Sequence, residues 1–271
     1  MTDRIRAKKS LGQHWLADRK AVEKIVEVAE LTGKETVVEV GPGPGILTPL
    51  LAERAKQVIA VELDRELIPK LETEVAGCKN VEIRQADILD VDPAELRESA
   101  GPYHVVGNVP YYITSKIIRH FLETPHRPES MTLTIQKEVA ERICALPPKM
   151  SILAVSVQLY GKPRIAGRIP AKAFRPPPEV DSAILRIEEI AQSQADLDRT
   201  LDGVSESAVF SFVRGGFSEK RKQLHNALAH NLDLSHEQAE ALLRQAGIEP
   251  NRRAETLSIE DWVTLARQAT R

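Results

Sequence analysis

The sequence has few cysteines, little net charge and no long apolar run, and each absence excludes a class of protein. Cys78 and Cys144 are the only cysteines among 271 residues, too few for a disulfide-rich secreted scaffold. No Cys-x-x-Cys pair or Cys/His cluster accompanies them, so we expect no metal site. No apolar run approaches the roughly 18 residues that a membrane-spanning helix needs, and no apolar stretch follows the basic N-terminus as in a secretory signal. We therefore expect a soluble, reduced, cytoplasmic protein that does not bind membranes.

Charge is balanced over the whole chain but is unevenly distributed along it. The 37 basic and 39 acidic residues give a net charge of -2, which excludes a highly basic, histone-like binder. Residues 1–24 carry seven basic and three acidic side chains, whereas residues 25–100 carry eight basic and sixteen acidic ones. Such asymmetry can place a basic face on a nearly neutral protein.

Short β-branched runs alternate with helical patterns through the first two-thirds of the chain. This alternation predicts an α/β fold, a Rossmann-like domain with a mostly parallel sheet and helices on both faces. Two further runs, 164–169 and 183–187, flank a Pro-rich segment and predict an antiparallel addition at the sheet edge. The other predicted strands are 36–40, 58–63, 81–85, 103–107 and 131–135, and the predicted helices among them are 46–55, 66–75 and 114–122.

The same patterns divide the chain into three parts. Residues 1–190 are predicted to form the α/β domain with a basic N-terminal arm. Residues 191–204 lack strong periodicity and predict a linker. Residues 205–271 are predicted to form a small helical domain that binds RNA, with helices at 205–213, 219–230, 235–245 and 258–268.

A glycine-rich turn, residues 39–45 (EVGPGPG), directly follows the first predicted strand. Glycines such as Gly41 and Gly43 let the backbone turn sharply and approach a ligand closely. Glu62, at the end of the second strand, can accept hydrogen bonds from both hydroxyls of an adenosine ribose, and Asp87 could meet the adenine amine. Because the turn lacks both the Walker A and the NAD-type spacing, S-adenosylmethionine (SAM) suits it better. The alternative is a purely structural turn with exposed acids.

A second motif, residues 107–112 (GNVPYY), follows the fourth predicted strand. The side-chain carbonyl of Asn108 and the backbone carbonyl of Pro110 can each accept a hydrogen bond from an adenine N6 amine, which aims its lone pair at a sulfonium methyl. Tyr111 can stack on the extruded base. Catalysis would then consist of positioning and hydrogen bonding. The alternative is an ordinary strand-end turn, in which Asn, Pro and Tyr are common.

Three basic clusters suggest a nucleic-acid surface: the N-terminal arm, residues 162–186, and Arg214 with residues 220–222. Phosphate contacts would make binding depend strongly on salt, although each cluster alone is equally well explained as an ordinary solvated face. The candidate RNA-binding residues are Lys8, Lys9, Arg175, Lys220, Arg221 and Lys222.

Together these segments resemble the KsgA-type rRNA adenine N6,N6-dimethyltransferases, whose relatives include the Erm enzymes and the mitochondrial transcription factor B proteins. The likeness extends over nearly the whole chain, and its final motif with the helical tail is typical of the KsgA type rather than of Erm. The motifs that carry it are KSLGQHWL (9–16), EVGPGPGILT (39–48), AVELD (60–64), QADIL (85–89), GNVPYY (107–112), QKEVAER (136–142), FRPPPEVDS (174–182), FSEKRKQLHN (217–226) and RAETLS (253–258).

The resemblance implies a monomeric enzyme of ribosome biogenesis with SAM as its cofactor. Its substrate would be two adjacent adenosines in a loop near the 3′ end of small-subunit (16S) rRNA, in the pre-30S ribosomal subunit. It also implies that Phe174 faces the base or the methyl site, as a catalytic residue beside Asn108, Pro110 and Tyr111. The implied SAM contacts are His14, Leu16, Gly41, Glu62, Asp87 and Asn108, to which the glycine turn adds Gly43.

The chain departs from the family pattern at several positions. His14 replaces an Asn, and an imidazole can still donate or accept a hydrogen bond. Trp15 replaces a Phe, and Val109 replaces a Leu. Lys220 replaces an Arg, and this change keeps the positive charge but loses the bidentate geometry with which Arg binds phosphate.

Three other functions are open to the sequence. A non-catalytic binding protein on the same fold is disfavoured by the intact motifs, and an Erm-type enzyme acting on large-subunit rRNA is disfavoured by the helical tail. The third is a small-molecule or DNA N6-adenine methyltransferase. The basic clusters disfavour a small substrate, whereas DNA stays open because the same chemistry suits any extruded adenine.

Overall fold

In the computed structural model, which describes residues 7–96, 101–219 and 221–270, contacts divide the chain into two units. The first contains the described residues up to Ala140 and Lys162–Ile190. The second contains Glu141–Gly161 and the described residues from Ala191 onwards. The sequence prediction did not separate Glu141–Gly161 from the α/β domain. This segment joins the helical unit through backbone contacts such as Met150 N to the Glu255 carbonyl, 2.9 Å.

A seven-stranded sheet forms the centre of the first unit. The strands of the described residues are β1 (Trp15–Leu16), β2 (Thr36–Val40), β3 (Gln57–Glu62), β4 (Val81–Gln85), β5 (Tyr103–Asn108), β6 (Ser130–Gln136), β7 (Lys162–Ile169), β8 (Phe174–Arg175) and β9 (Ser182–Glu188). The sheet order is β4-β3-β2-β5-β6-β9-β7, and the first five strands in that order pair in parallel. This confirms the predicted α/β fold with a mostly parallel sheet.

The antiparallel addition at the sheet edge is also confirmed. Strand β9 pairs antiparallel with β6 on one side and with β7 on the other, and β7 is the edge strand. The short strands β1 and β8 form a separate antiparallel pair that joins the N-terminal arm to the segment before β9. The arm is thereby held against the sheet domain.

Helices flank these strands and make up most of the second unit. The helices predicted at 46–55 and 66–75 are shorter in the structure, Thr48–Ala52 and Ile68–Glu74. The glycine turn precedes the first of them, and a 3-10 turn at Arg65–Leu67 precedes the second. In the described residues the helices are α1 (Arg19–Val28), α2 (Thr48–Ala52), α3 (Ile68–Glu74), α4 (Thr114–Leu122), α5 (Lys137–Ile143), α6 (Ile152–Gln158), α7 (Gln194–Leu201), α8 (Glu206–Phe217), α9 (Leu224–Asn231), α10 (His236–Gln245) and α11 (Ile259–Ala269). None of them is both long and apolar enough to cross a membrane.

The predicted linker at 191–204 is wrong over most of its length, because α7 lies within it. Ser193 caps this helix, and its side chain and that of Asp196 form a reciprocal capping box. Leu197 and Leu201 are buried, so the helix packs within the second unit by a short apolar stripe. The Ser-x-x-Asp spacing was a signal in the sequence that could have indicated this helix.

The predicted helix ends at 213 and 219 are also wrong. Helix α8 continues to Phe217 through two glycines, and α9 begins only at Leu224. Glycine at 216 is required by packing, since a Cβ there would lie 2.5 Å from the Trp262 ring of α11. Gly216 therefore permits close helix contact, and neither glycine ends the helix.

Candidate active site

The carboxyl ends of four parallel strands bring the predicted site residues to one cavity. Val40 at the end of β2 pairs with Val61 of β3 and Gly107 of β5, so the segments that follow these strands meet at one edge. Nine of the predicted site residues line the cavity found there: His14, Leu16, Gly41, Gly43, Glu62, Asp87, Asn108, Pro110 and Tyr111.

The glycine turn adopts a backbone conformation that only glycine accepts without strain. Gly41, Gly43 and Gly45 have φ values of 66°, 60° and 91°. The Gly41 amide donates to the Val61 carbonyl at 3.0 Å, which ties the turn to β3. No atom lies within 4 Å of the position a Cβ would take at Gly41, so the backbone there borders open space. At Gly41 the turn thus exposes backbone rather than a side chain to the cavity.

Glu62 fixes the glycine turn from the neighbouring strand. Its Oε2 accepts a hydrogen bond from the Gly43 amide at 2.9 Å, and its Oε1 accepts one from the Asp64 amide at 2.8 Å. Burial raises the pKa of this carboxyl group, and the two backbone hydrogen bonds act in the opposite direction. Each carboxylate oxygen has a second lone pair for a ligand.

Glu39, which the sequence analysis did not select, is a second buried acid on the cavity wall. It lies within β2 and is 1% exposed, and burial raises the pKa of its carboxyl group to about 8. Its Oε2 has no hydrogen-bond partner in the described part of the chain. A carboxyl group in this setting retains its proton at neutral pH.

This shift makes the stability of the protein depend on pH. Between pH 4.5 and about 8 the folded protein keeps a proton on Glu39 that the unfolded chain has lost, so the free energy of unfolding falls as pH rises. In urea unfolding, we expect the wild type to lose stability over this interval relative to Glu39→Gln, which cannot titrate. Equal pH slopes for the two proteins would contradict the assignment.

The N-terminal arm is attached to the site by a buried acid, Asp64. Lys8 Nζ donates to Asp64 Oδ1 at 2.8 Å, and Gln13 Nε2 donates to Asp64 Oδ2 at 2.9 Å. Burial acts to raise the pKa of Asp64, but these hydrogen bonds outweigh it and hold the pKa below its usual value. Lys8 also pairs with Glu66 at 3.0 Å. Two carboxylates therefore compensate the charge of Lys8 in this structure, and its predicted RNA contact stays a prediction.

Asn108 stands at the end of β5 with its amide oriented by the arm. Its Nδ2 donates to the backbone carbonyl of His14 at 2.8 Å. Because the nitrogen is engaged there, the side-chain Oδ1 is the atom available to accept from a ligand. Asn108 is half-buried and lines the cavity, as predicted from its position after a parallel strand.

Pro110 and Tyr111 have different surroundings from those that the sequence suggested. The Pro110 carbonyl accepts hydrogen bonds from Ile113 N at 3.2 Å and Thr114 Oγ1 at 3.3 Å, so the turn that follows uses both its lone pairs. The prediction that this carbonyl receives an N6 hydrogen is therefore wrong. Tyr111 is half-buried, and its hydroxyl lies 2.8 Å from Ser182 Oγ. Burial raises the pKa of Tyr111, so the phenol is neutral and does not act as a base.

His14 makes contacts that an Asn at this position would not make. Its ring stacks on Tyr111 with centroids 5.8 Å apart and planes inclined by 20°. Its Nδ1 lies 2.9 Å from the Pro176 carbonyl and donates to it, since a carbonyl can only accept. Trp15 also lines the cavity, with its indole 3.1 Å from the position of a Cβ on Gly43. The sequence analysis noted Trp15 as a departure from the family pattern but did not assign it to the site.

Phe174 is not part of the cavity. Its side chain is fully buried among core residues, including Leu16, its partner across the β1–β8 pair. The prediction that it faces the base or the methyl site is therefore wrong, and it is the core aromatic of this loop. Its position in a Pro-rich motif near the site could not distinguish these two roles.

The basic clusters are partly neutralised by ion pairs. Lys162, Arg164 and Arg186 pair with nearby glutamates, whereas Arg175 is exposed with two of its donor contacts on the local backbone. In the second unit Arg221 is exposed and Lys222 pairs with Glu219. Lys220 and the side chain of Lys9 lie outside the described residues. Arg175 and Arg221 thus stay the exposed candidates for phosphate contacts.

Two solved structures that resemble this one are methyltransferases. The 23S rRNA methyltransferase ErmE has a TM-score of 0.73 and is 30% identical, with 95% of this chain and 100% of that chain covered. A dimethyladenosine transferase from Plasmodium falciparum shares the fold, with a TM-score of 0.77 at 22% identity over 93% of this chain and 96% of that one. The fold and the cavity at its strand ends define a methyltransferase.

Sequence comparison identifies the family. The family model for ribosomal RNA adenine dimethylase matches residues 4–271. A protein from Dehalococcoides mccartyi named ribosomal RNA small subunit methyltransferase A is 47% identical over 261 residues, which cover 96% of this chain and 88% of that protein. The chain belongs to the ribosomal RNA adenine dimethylase family.

Proposed function

We propose that this protein transfers methyl groups from SAM to the N6 amines of two adjacent adenosines in small-subunit rRNA. The observation that carries the proposal is the meeting of Asn108 and Tyr111 with the glycine turn, Glu62 and Asp87 around one cavity. The name of the Dehalococcoides mccartyi relative supports the choice of subunit. Such a substrate would place the protein in the cytoplasm, where we propose that it acts as a monomer.

The residues of the cavity fit SAM. Open space beside Gly41 leaves room for a ligand against the backbone. Glu62 presents a buried carboxylate whose remaining lone pairs suit the two hydroxyls of a ribose. Asp87 is half-buried, and its Oδ1 accepts a hydrogen bond from the Leu89 amide at 3.0 Å, which leaves its Oδ2 as the oxygen that would meet the adenine amine. These residues would hold the cofactor.

The chain promotes the reaction by positioning the attacking nitrogen. When bound, SAM supplies an electrophilic methyl group on sulfur. Asn108 Oδ1 accepts a hydrogen bond from the adenine N6 and directs its lone pair, while Tyr111 stacks on the base. In the transfer, N6 would gain the methyl carbon while the sulfur keeps the electron pair of the broken sulfur–carbon bond, and the N6 proton would leave to solvent afterwards. No strong base is required before transfer.

Methyl transfer from labelled SAM to purified ribosomal subunits tests this function. Small subunits that lack the modification should accept label, and large subunits should not. Label on large subunits alone would instead favour the Erm-type alternative. Label on neither subunit, with SAM binding measurable by calorimetry, would contradict the proposal and direct attention to DNA or to a binding function.

Arg221, an exposed arginine of the second unit, provides a test of RNA contact. Arg221→Gln should weaken binding to small subunits and lower the slope of log affinity against log salt by about 1. Lys222→Gln should have a smaller effect, since its charge is already paired with Glu219. Lys79→Gln, an exposed position outside the three clusters, is the control. An unchanged slope for Arg221→Gln would remove this residue from the RNA surface.

A further inference from the structure

Tyr112 is a large aromatic side chain that stands exposed at the cavity. It is 59% exposed, although it follows the half-buried Tyr111 directly and lines the same cavity. Single exposed apolar residues are common on proteins. This one differs because it adjoins the residues that would receive the target base.

The ring of Tyr112 packs against the N-terminal arm at Gly12. Gly12 has a φ of 57°, and a Cβ on it would lie 3.1 Å and 3.2 Å from the Cδ1 and Cε1 atoms of the Tyr112 ring. One side of the ring therefore contacts the Gly12 backbone at van der Waals distance. Contact on one side restricts its motion, while the remaining surface faces solvent.

Tyr111 and Tyr112 cannot contact the same base in the same way. Both belong to the 3-10 turn Tyr111–Ile113, in which successive side chains diverge by about 120°. The hydroxyl of Tyr111 lies against Ser182, which is fully buried, whereas most of the Tyr112 side chain faces solvent. A second aromatic platform is thus available for a second base.

We propose that Tyr112 stacks on the adenosine adjacent to the one being methylated, an inference that rests on the proposed function. Extruding one adenosine removes a stacking partner from its neighbour, and an exposed aromatic ring beside the cavity can replace that partner. Tyr112 is then a positioning residue, which recognises the second adenosine of the pair and takes no part in the bond changes.

The free energy of stacking a base on an aromatic ring sets the size of the expected change in KM. Tyr112→Leu keeps an apolar side chain but removes the ring, and should raise the KM for small subunits by about 5- to 150-fold. The value of kcat and the affinity for SAM should each stay within about 2-fold, because Asn108 and Glu62 are untouched. Tyr112→Phe keeps the ring and should behave as the wild type.

A double-mutant cycle identifies the base that Tyr112 contacts. Small subunits are reconstituted with rRNA in which one adenosine of the pair is replaced by an abasic nucleotide, and transfer to the other adenosine is measured. The abasic change should raise the KM of the wild type, and Tyr112→Leu should add nothing further on that RNA. This wild-type arm does not depend on the folding of any variant.

Two results would overturn the inference without touching the proposed function. One is an unchanged KM for Tyr112→Leu on intact subunits. The other is full additivity of the two changes, which would mean that the ring acts elsewhere. If the wild type transfers no methyl group to intact small subunits, the proposed function itself fails and this inference fails with it.

Discussion

Asn108→Ala is expected to reduce methyl transfer to small subunits on the order of 100- to 1,000-fold, which is typical for loss of one preorganised hydrogen-bonding group. The variant removes Oδ1, the acceptor that orients the N6 amine. The remaining cavity wall, including Glu62 and the glycine turn, is unchanged. Single-turnover transfer with saturating SAM measures the effect directly.

SAM affinity separates a catalytic role of Asn108 from a structural one. In calorimetry, the Kd of Asn108→Ala for SAM should stay within about 5-fold of the wild-type value. The substitution removes only one hydrogen bond within the protein, from Asn108 to the His14 carbonyl. Asn251→Ala, an exposed asparagine in the second unit, is the control. Unchanged turnover for Asn108→Ala would exclude the proposed role.

Glu62→Ala is expected to weaken SAM binding by about 10- to 150-fold, the range for losing hydrogen bonds to a charged group. The change removes the carboxylate proposed to hold the ribose. It also frees the Gly43 amide, which the carboxylate now fixes at 2.9 Å. Calorimetric titration with SAM measures this effect without requiring RNA.

A neighbouring acid serves as the control for Glu62. Glu72 lies exposed on α3, and Glu72→Ala should bind SAM as the wild type does. At saturating SAM, Glu62→Ala should recover most of its kcat, since Asn108 is intact. A wild-type Kd for Glu62→Ala would remove the carboxylate from the cofactor site.

The sheet and the order of the site segments could be predicted because they depend on local pattern. Runs of buried β-branched residues such as those of β2 and β3 identify parallel strands, and their carboxyl ends must share one edge. That rule alone brings the glycine turn, Glu62, Asp87 and Asn108 together. The weak periodicity of residues 191–204 does not predict helix α7, whereas the Ser-x-x-Asp spacing at its start is typical of a capped helix.

What the sequence could not supply were the partners made by tertiary contact. The sequence predicts Lys8 as a phosphate contact but does not show its ion pair with Asp64. It likewise places Phe174 near the site but does not show that the side chain is fully buried. The sequence predicts that the Pro110 carbonyl accepts a hydrogen bond from the substrate, whereas in the structure it accepts one from the turn that follows. Tyr112 was within the motif, but only its exposure distinguishes it from Tyr111.

Analysis of rRNA from living cells tests most directly whether this chain dimethylates adenosines through Asn108. The wild type and Asn108→Ala would each be expressed in a bacterium that lacks the corresponding activity, and the 3′ region of the small-subunit rRNA would be mapped by mass. We expect dimethyladenosine at two adjacent positions with the wild type and unmodified adenosine with Asn108→Ala at equal protein levels. Unmodified rRNA with the wild type, or full modification with Asn108→Ala, would contradict this function or its mechanism.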